Sequence, residues 1–478
     1  MNKILNLSAI SINKSKMKAK KLLLLSISML VSFVAVAKTN TQKIETTIPT
    51  SWNNLDTLFI QQDNIDKKWW TGFNDPTLNA LLDICIANNY DLAEAAYRVD
   101  AAKAAMRKAE GGYYPSINIA AAYDYNKNVT AAGYTTHVGS LGADMSWEID
   151  IIGAVRGRAN SQKYSFQATQ EEYNAVMTSL IAKVVSSYIN LRTAQARLEV
   201  VESNLHIQEQ TKDITEARFN TGLASALDVA QAKSIYYATA AKVPELESTV
   251  SECLNALGVL SGRIPWELEA ELNLSEISII PHNSEKMVPV SVPAEILRQR
   301  PDVRAAEKNI DACASLVGAT VADWLPKFYV TGKIGVASED FKNLFQEDKM
   351  YWQVAPTIKW NIFSGTALSG QIQEAKAKTE IAVNSYNNVV LNALQEVDNS
   401  MTVYKHSIKE EEAYRVAYEQ AELTFNLAID LYKKGLIEFQ NVLDAQRNLL
   451  SYNEAKVVSE ANVSLSLVQL YQALGGGY

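Results

Sequence analysis

The chain has 478 residues, 47% of them hydrophobic, and a formal net charge of −8. That length exceeds one ordinary core and fits two or three domains or a repeat architecture. Average hydrophobicity excludes a disordered chain and a bundle of membrane helices, and an acidic balance without a basic cluster excludes nucleic acid as a partner.

Six lysines (Lys3, Lys14, Lys16, Lys18, Lys20, Lys21) and no acids precede the apolar run Leu22 to Val36, which closes on Ala35-Val36-Ala37. A basic region, a short apolar core and a small-x-small site are the layout of a secretory signal, cleaved after residues 1–37. The run is too short for the ~20 residues that span a bilayer as a helix. Losing six lysines leaves 39 basic against 53 acidic residues, a net of −14. No other stretch reaches 18 consecutive apolar residues, so no second helical span is expected.

Residues 38–75 read as an extended N-terminal segment, and a first structural unit runs from 76 to 262. It opens with a helix over about Pro76 to Glu110. Two strands follow near 115–126 and 138–150, where Ile117, Ile119, Ala121, Tyr123 and Tyr125, then Leu141, Ala143, Met145, Trp147 and Ile149, alternate with polar or small residues. A long helix from Gly153 carries Tyr173, Met177, Leu180, Val184, Ser187, Leu191, Ala194, Leu198, Val201 and Leu205 at steps of four and three, a coiled-coil seam. Gly222 marks the far tip of this hairpin, Ser225 with Asp228 resembles a cap, and a shorter helix returns to Gly262.

A Pro-containing linker, 263–292, leads to a second unit, 293–478, on the same plan: helix, strands near 326–337 and 352–363, and a hairpin with its tip at Gly435. Phe328, Val330, Ile334 and Val336, then Trp352, Val354, Ile358 and Trp360, supply the apolar alternation, although Pro356 removes one ladder donor. The second seam (Tyr386, Val390, Ala393, Val397, Ser400, Tyr404) fails at Glu411. Trp147 corresponds to Trp360, Gly222 to Gly435 and Gly262 to Gly475 at an offset of 213, and Pro115 to Pro326 at 211. An ordered series of this kind across both halves reads as an internal duplication.

Four strands of about ten residues are long enough to cross a bilayer tilted. Lipid supplies no hydrogen bonds, so such a sheet has to close, and one chain cannot close it. Two chains would give eight strands and a barrel filled by side chains; three would give twelve and an aqueous lumen. Tyr123, Tyr125, Trp147, Phe328, Trp352 and Trp360 are the expected membrane-facing aromatics. A soluble β-sandwich is the competing reading, and it would need a covering layer for the apolar face.

The chain resembles the TolC-like outer membrane efflux channels, in the OprM-like branch that serves resistance-nodulation-division pumps. The resemblance is carried by "WWTGFNDPTLNALL" (69–82), "SWEIDIIGAVRGR" (146–158), "RFNTGLASALDVAQAK" (218–233), "RPDVRAAE" (300–307), "DWLPKF" (323–328), "WNIFSGT" (360–366), "VLDAQRNLL" (442–450) and "LYQALGGGY" (470–478). It implies an α+β membrane protein. A homotrimer would form a twelve-stranded outer membrane β-barrel, continuous with a periplasmic α-helical coiled-coil barrel. It implies a periplasmic membrane fusion (adaptor) protein and an inner membrane transporter as partners. Carried over by position, adaptor docking falls on the tips, at Arg218, Gly222, Leu223, Ser225, Asp228, Tyr432, Gly435 and Leu436. The periplasmic gate falls on Asp444 and Arg447, with Gln440 where relatives often carry an apolar constriction residue. Lys38, not a cysteine, follows the cleavage site, so no lipid anchor is expected.

Cys85, Cys253 and Cys313 form neither a disulfide framework nor a metal cluster, and read as small buried hydrophobes. His137, His206, His282 and His406 lack zinc spacing, and the chain carries no HExxH, Walker loop, GxSxG or CxxC. No catalysis, cofactor or metal is expected. The leading function is a passive exit duct for drugs or other toxic small molecules. Ducts for metal ions or for type I polypeptide secretion stand beside it, as does an envelope scaffold without a pore.

Overall fold

A computed structural model describes residues 51–52, 58–61, 68–127, 135–267, 280–281, 288–290, 293 and 298–476. The expected signal, Lys38, His282 and most of the 263–292 linker lie outside these residues. In chain order the elements are β1 (Phe59–Gln61), α1 (Pro76–Asn88), α2 (Tyr90–Glu110), β2 (Ser116–Lys127), β3 (Thr135–Ile149), α3 (Ala154–Asn220), α4 (Ala226–Ala240) and α5 (Lys242–Leu260). There follow β4 (Val288–Val290), α6 (Pro301–Ala322), β5 (Lys327–Ser338), β6 (Met350–Lys359), α7 (Ala367–Lys433) and α8 (Phe439–Ala473). Among the described residues no helix is long and apolar enough to cross a membrane.

Two helices expected as single rods are each broken, for local reasons. Asn89 ends α1 in an extended conformation; its Oδ1 accepts from Leu92 N (3.0 Å) to start α2, and its Nδ2 donates to Leu260 O (3.0 Å). The return helix breaks at Ala241, just before Pro244, which has no N–H to offer the carbonyl of residue 240. By contrast α3 and α7 are continuous, 67 residues each and about 100 Å long.

The chain divides into two compact units. One takes Ala102–Phe166 and Lys308–Asn387 and contains an antiparallel sheet in the order β2-β3-β5-β6. Within each hairpin Ser116 faces Ser146 and Lys327 faces Lys359; between hairpins Met145 faces Gly332. The strands agree with expectation to within a few residues except at one end: β6 stops at Lys359, four residues before the expected 363. In the first hairpin the matching stretch, Trp147 to Ile149, remains a strand because β5 pairs with it through Phe328, Tyr329 and Val330. Residues 360–362 have no such neighbour among the described residues and leave the ladder.

The other unit holds Gln167–Glu307, Asn388–Tyr478 and the described part of Thr46–Ala101. Its core gathers Trp69, Trp70, Phe73, Leu78 and Leu82 with Leu180, Val184, Tyr188, Leu191, Val397, Met401 and Tyr471. Trp69 stacks on Tyr471 with ring centroids 5.0 Å apart. Asp75 caps α1 through Thr77 N and Leu78 N, and its other oxygen accepts from the buried Tyr188 hydroxyl at 2.7 Å. The short parallel pair β1–β4 (Phe59 opposite Val288) joins the N-terminal segment to the linker. Cys85 is buried as expected, its thiol pushed up to about 12 by desolvation, while Cys253 and Cys313 are half-buried.

The α3 seam buries Leu180, Val184, Leu191, Ala194 and Val201. Below Val201 its character changes: Asn204, Gln208, Thr211 and Thr215 continue the spacing and are all buried, and Gln446 of α8 donates to Thr211 Oγ1 at 3.0 Å. On α7 the seam loses apolarity at Glu411 and resumes at Ala421, Phe425, Ala428 and Tyr432.

Glu411 is half-buried, and its carboxyl is raised above the usual range by burial, then by Glu460 of α8 and by Glu412, against the opposing pull of Arg415 and Lys456. A raised carboxyl means the folded chain binds this proton more tightly than the unfolded chain. Stability from this group is therefore present at low pH and lost as pH rises through the raised value. Glu411→Gln should raise the thermal midpoint at about pH 8, with the gain vanishing near pH 4, around the ordinary glutamate value. Circular dichroism melts of the detergent-solubilised protein check this; an equal gain at both pH values contradicts it.

Candidate functional site

Register decides which residues share a face of the sheet, because directly opposed residues in an antiparallel pair point the same way. The observed pairs put Ile119, Ala143, Ile334 and Trp352 in one row, and Ala121, Leu141, Val336 and Met350 in the next. Tyr123, Tyr125, Trp147 and Phe328 lie on this same face. In the single chain it is largely bare: Ile119 is 80% and Trp352 76% exposed. Trp360, also exposed, lies just past the end of β6.

The opposite face is polar. Lys333 Nζ lies 3.6 Å from Asp144, the Tyr329 hydroxyl donates to Glu148 at 3.0 Å, and Lys359 stands over the Tyr329 ring. Gly142 faces Gly335 here, and a Cβ on Gly335 would come within 2.6 Å of Leu141 O and 3.0 Å of the Tyr351 hydroxyl. Those two glycines make room for the Tyr351 ring end, a packing relation that strand alternation alone does not reveal.

Where the sheet meets its helices, the two halves make matching ties. Trp147 Nε1 donates to Tyr113 O at 3.0 Å, and Trp360 Nε1 donates to Trp324 O at 3.2 Å. Arg158 donates to both oxygens of Asp323 (2.5 and 2.6 Å), and Lys327 Nζ lies 2.8 Å from the same carboxylate. Burial pushes the Asp323 carboxyl up, but the hydrogen bonds from Lys327 and Arg158 outweigh it and hold it below the usual range. The segments 146–158 and 323–328 thus meet. So do 300–307 and 470–478, where Arg300 donates to Ala473 O at 2.7 Å and pairs with Asp302 and Glu396.

Both hairpin tips end in the same motif. Gly222 N donates to Phe219 O and Leu223 N to Arg218 O; Gly435 N donates to Tyr432 O and Leu436 N to Leu431 O. Both glycines have φ of +75°, the left-handed conformation this helix ending requires. Ser225 and Asp228 close a capping box on α4, whereas Glu438 at the start of α8 makes no side-chain cap. Leu223 (68%) and Leu436 (67%) project into solvent. Tyr432, expected among the docking residues of the tip, is buried beneath the Arg218 guanidinium, 4.8 Å from the ring centroid, and against Phe439. Arg218 also donates to Lys433 O at 3.1 Å, so it caps the last turn of α7 across the two tips. That role depends on tertiary approach over 215 residues and has no local sequence signal.

Gln440, Asp444 and Arg447 form one exposed polar stripe on α8, with Val442, Leu443 and Gln446 buried behind them. Gln440 Nε2 donates to Asp444 Oδ1 at 3.0 Å, and Arg447 Nη1 lies 3.8 Å from the same oxygen. Among the described residues no group of three His, Cys, Asp or Glu side chains could hold a metal ion.

An amphipathic sheet of membrane-crossing length, connected to pairs of very long helices with glycine-ended tips, defines a class: outer membrane channel subunits. The comparisons agree. The chain belongs to the outer membrane efflux protein family, whose sequence model matches residues 81–263 and 292–476. It is 27% identical over 412 residues to the cation efflux system protein CusC of Escherichia coli, covering 86% of this chain and 88% of that protein. It is 28% identical over 420 residues to the probable efflux pump outer membrane protein TtgC of Pseudomonas putida, covering 86% of each. Among solved structures it resembles the outer-membrane channel OprN, with a TM-score of 0.84 at 29% identity over 90% of this chain and 97% of that one. CusC crystal structures give a TM-score of 0.79 at 26% identity, over 90% and 98% of the two chains.

Because Arg218 both caps α7 and covers Tyr432, Arg218→Ala should loosen that tip by about 1–2 kcal/mol, the sum of a modest hydrogen bond and a cation–π contact. Amide exchange at Gly435 and Leu436 should accelerate roughly 5- to 30-fold. Unchanged exchange there would remove Arg218 from this role.

Proposed function

We propose that the chain is the outer membrane duct of a tripartite efflux pump, a passive exit for drugs or other toxic small molecules. The reading rests above all on the open sheet, with one face apolar and bare, the other polar, and strands at both edges that are unpaired among the described residues. Such a sheet is stable in lipid only when closed. Three copies would close a twelve-stranded barrel with a polar, water-filled lumen. The two family matches, and the like order of elements in residues 76–262 and 293–478, support an internal duplication. The paired long helices would continue the lumen through the periplasm as a coiled-coil tunnel. A membrane fusion (adaptor) protein and an inner membrane resistance-nodulation-division transporter would deliver cargo at the tips. The signal over residues 1–37 would be removed on export. The relatives include both a cation efflux system protein and an efflux pump outer membrane protein, so cargo is a matter for measurement.

In this reading the exposed Leu223 and Leu436 contact the adaptor. Gly222, Gly435, Arg218, Ser225 and Asp228 shape the tips, and Tyr432 supports them from within. The stripe of Gln440, Asp444 and Arg447 faces the axis near the closed end. Three Asp444 carboxylates converging there would repel one another unless Arg447 pairs with them.

Deleting the gene in cells that keep the pump partners should sensitise them to toxic compounds, and unchanged sensitivity across a broad panel counts against the duct. Replacing Asp444 and Arg447 together by alanine should raise single-channel conductance and admit vancomycin into cells. Conductance and exclusion at wild-type levels would reject the gate. Gly222→Val or Gly435→Val should weaken adaptor pull-down while the oligomer still assembles; undiminished capture would reject the tip as the docking site.

A further inference from the structure

Between the start of α3 and the end of α6 lies a groove enclosing about 300 Å³. Arg156 and Asn160 form its α3 wall, Gly318 and Val321 its α6 wall, and Trp324 and Leu325 follow at the end nearest the sheet. The helices touch at Gly157, where a Cβ would lie 2.9 Å from Ala319 Cβ. At Gly318, by contrast, a Cβ would meet nothing within 4 Å, so a missing side chain helps to open the groove.

The ion pairs beside it fix which side of the helices the groove occupies. At about 100° per residue Arg156 and Arg158 point about 160° apart, and so do Val321 and Asp323. Arg158 pairs with Asp323, and Asp323 with Lys327, which stands with Lys359 on the polar face of the sheet. The groove therefore lies on the other side of the helix pair, toward the apolar face. Trp360 of that face donates its indole N–H to Trp324 O, joining the apolar row to the end of the groove, where Trp324 is 46% exposed. Two helical turns below that point span roughly 10 Å, enough to cross the headgroup layer beyond the hydrocarbon.

The wall is apolar on α6 and carries an uncompensated cation on α3. Arg156 is exposed, and its guanidinium makes no hydrogen bond or ion pair among the described residues; nor does the Asn160 amide make a hydrogen bond there. Asp150 does not serve Arg156 as a counter-ion, because its oxygens accept from the backbone N–H groups of Gly153, Val155 and Arg156. The repeated plan does not require such a groove: at the offsets of 213 and 211, Ser369 and Arg107 stand at the equivalents of Arg156 and Gly318.

We propose that this groove holds one glycerophospholipid of the periplasm-facing leaflet. Its phosphate sits on Arg156 and Asn160, and an acyl chain lies along Gly318 against Val321, Trp324 and Leu325. A planar guanidinium suits a phosphate, and a basic pocket between helices at the membrane boundary suits a lipid headgroup. Free phosphate would gain nothing from the apolar wall, and an alkyl chain alone nothing from the arginine. The proposal rests on the outer membrane reading above and adds to it a particular lipid with a particular place.

The exported protein, purified as its oligomer in mild detergent and stripped of lipid, is titrated with dioleoyl phosphatidylglycerol and followed by native mass spectrometry. Binding should saturate at one lipid per chain. Arg156→Gln and Gly318→Leu should each weaken it about tenfold, the first by removing the phosphate partner and the second by filling the groove. Arg107→Gln removes an exposed cation at the equivalent position of the other helix pair and should change nothing; an equal loss there would reduce the effect to general attraction and overturn the site. Dioleoylglycerol, which lacks the phosphate, should bind at least tenfold more weakly, and equal binding would overturn the role of Arg156. Displacement of the lipid by millimolar inorganic phosphate would make this an anion site and overturn the lipid. Conducting oligomers that bind no lipid saturably would overturn the site alone, whereas failure to form oligomers or conduct in planar bilayers would count against the duct itself.

Discussion

A backbone amide in hydrocarbon has no water to turn to, and much of this chain's architecture follows from that one requirement. The four strands satisfy each other across three seams and, among the described residues, leave the outer edges of β2 and β6 without partners. Both faces of β2 and nearly all of β6 are exposed, so among the described residues no helix or loop shields them. Soluble proteins blunt an edge with charge, proline or a bulge. Here the apolar row runs out to both edges, from Ile119 on β2 to Trp352 on β6, with Pro356 as the one residue of these two strands that cannot donate. An edge left this open is a wall that expects its neighbour.

Much of this was legible from the residues. Period-two alternation located all four strands, and the glycines at 222 and 435 located both helix reversals. Trp147 and Trp360, set in correspondence by the offset of 213, each donate Nε1 to a backbone carbonyl. What escaped is instructive. The end of β6 at Lys359 could not be read from its sequence, because Trp360 and Ile362 alternate as well as Trp147 and Ile149 do. Strand length there depends on whether a partner strand is present. The break at Asn89 depends on Leu260, distant in sequence, which accepts from its side chain. Tyr432 is placed among the tip residues by the family resemblance alone, and nothing local in the sequence shows that Arg218 and Phe439 arrive to bury it.

The family motifs have a physical meaning once the contacts are known. Trp69 on Tyr471, Arg300 on Ala473 O, Arg158 on Asp323 and Arg218 on Lys433 O each join stretches far apart in sequence. These are places where helices must stop, start or cross at a set angle, and each uses a group with directional demands. The long intervening runs of α3 and α7 need only keep their heptad faces and tolerate more variety.

Along α3 the seam is not uniform, and the change in its chemistry bears on how a duct could change shape. Leu180, Val184 and Leu191 would expose apolar surface to water on separation, at a cost that grows with area. Asn204, Gln208, Thr211 and Thr215 carry groups that water can solvate, and neither polar atom of the Gln208 amide has a hydrogen-bond partner among the described residues. Parting the helices there recovers solvation that burial had withheld, so opening costs less toward the tip than higher on the same helix. Gln446, which donates to Thr211, lies on α8 between Asp444 and Arg447, facing inward where they face out. The polar half of the seam and the exposed acid–base stripe thus share one helical turn of α8.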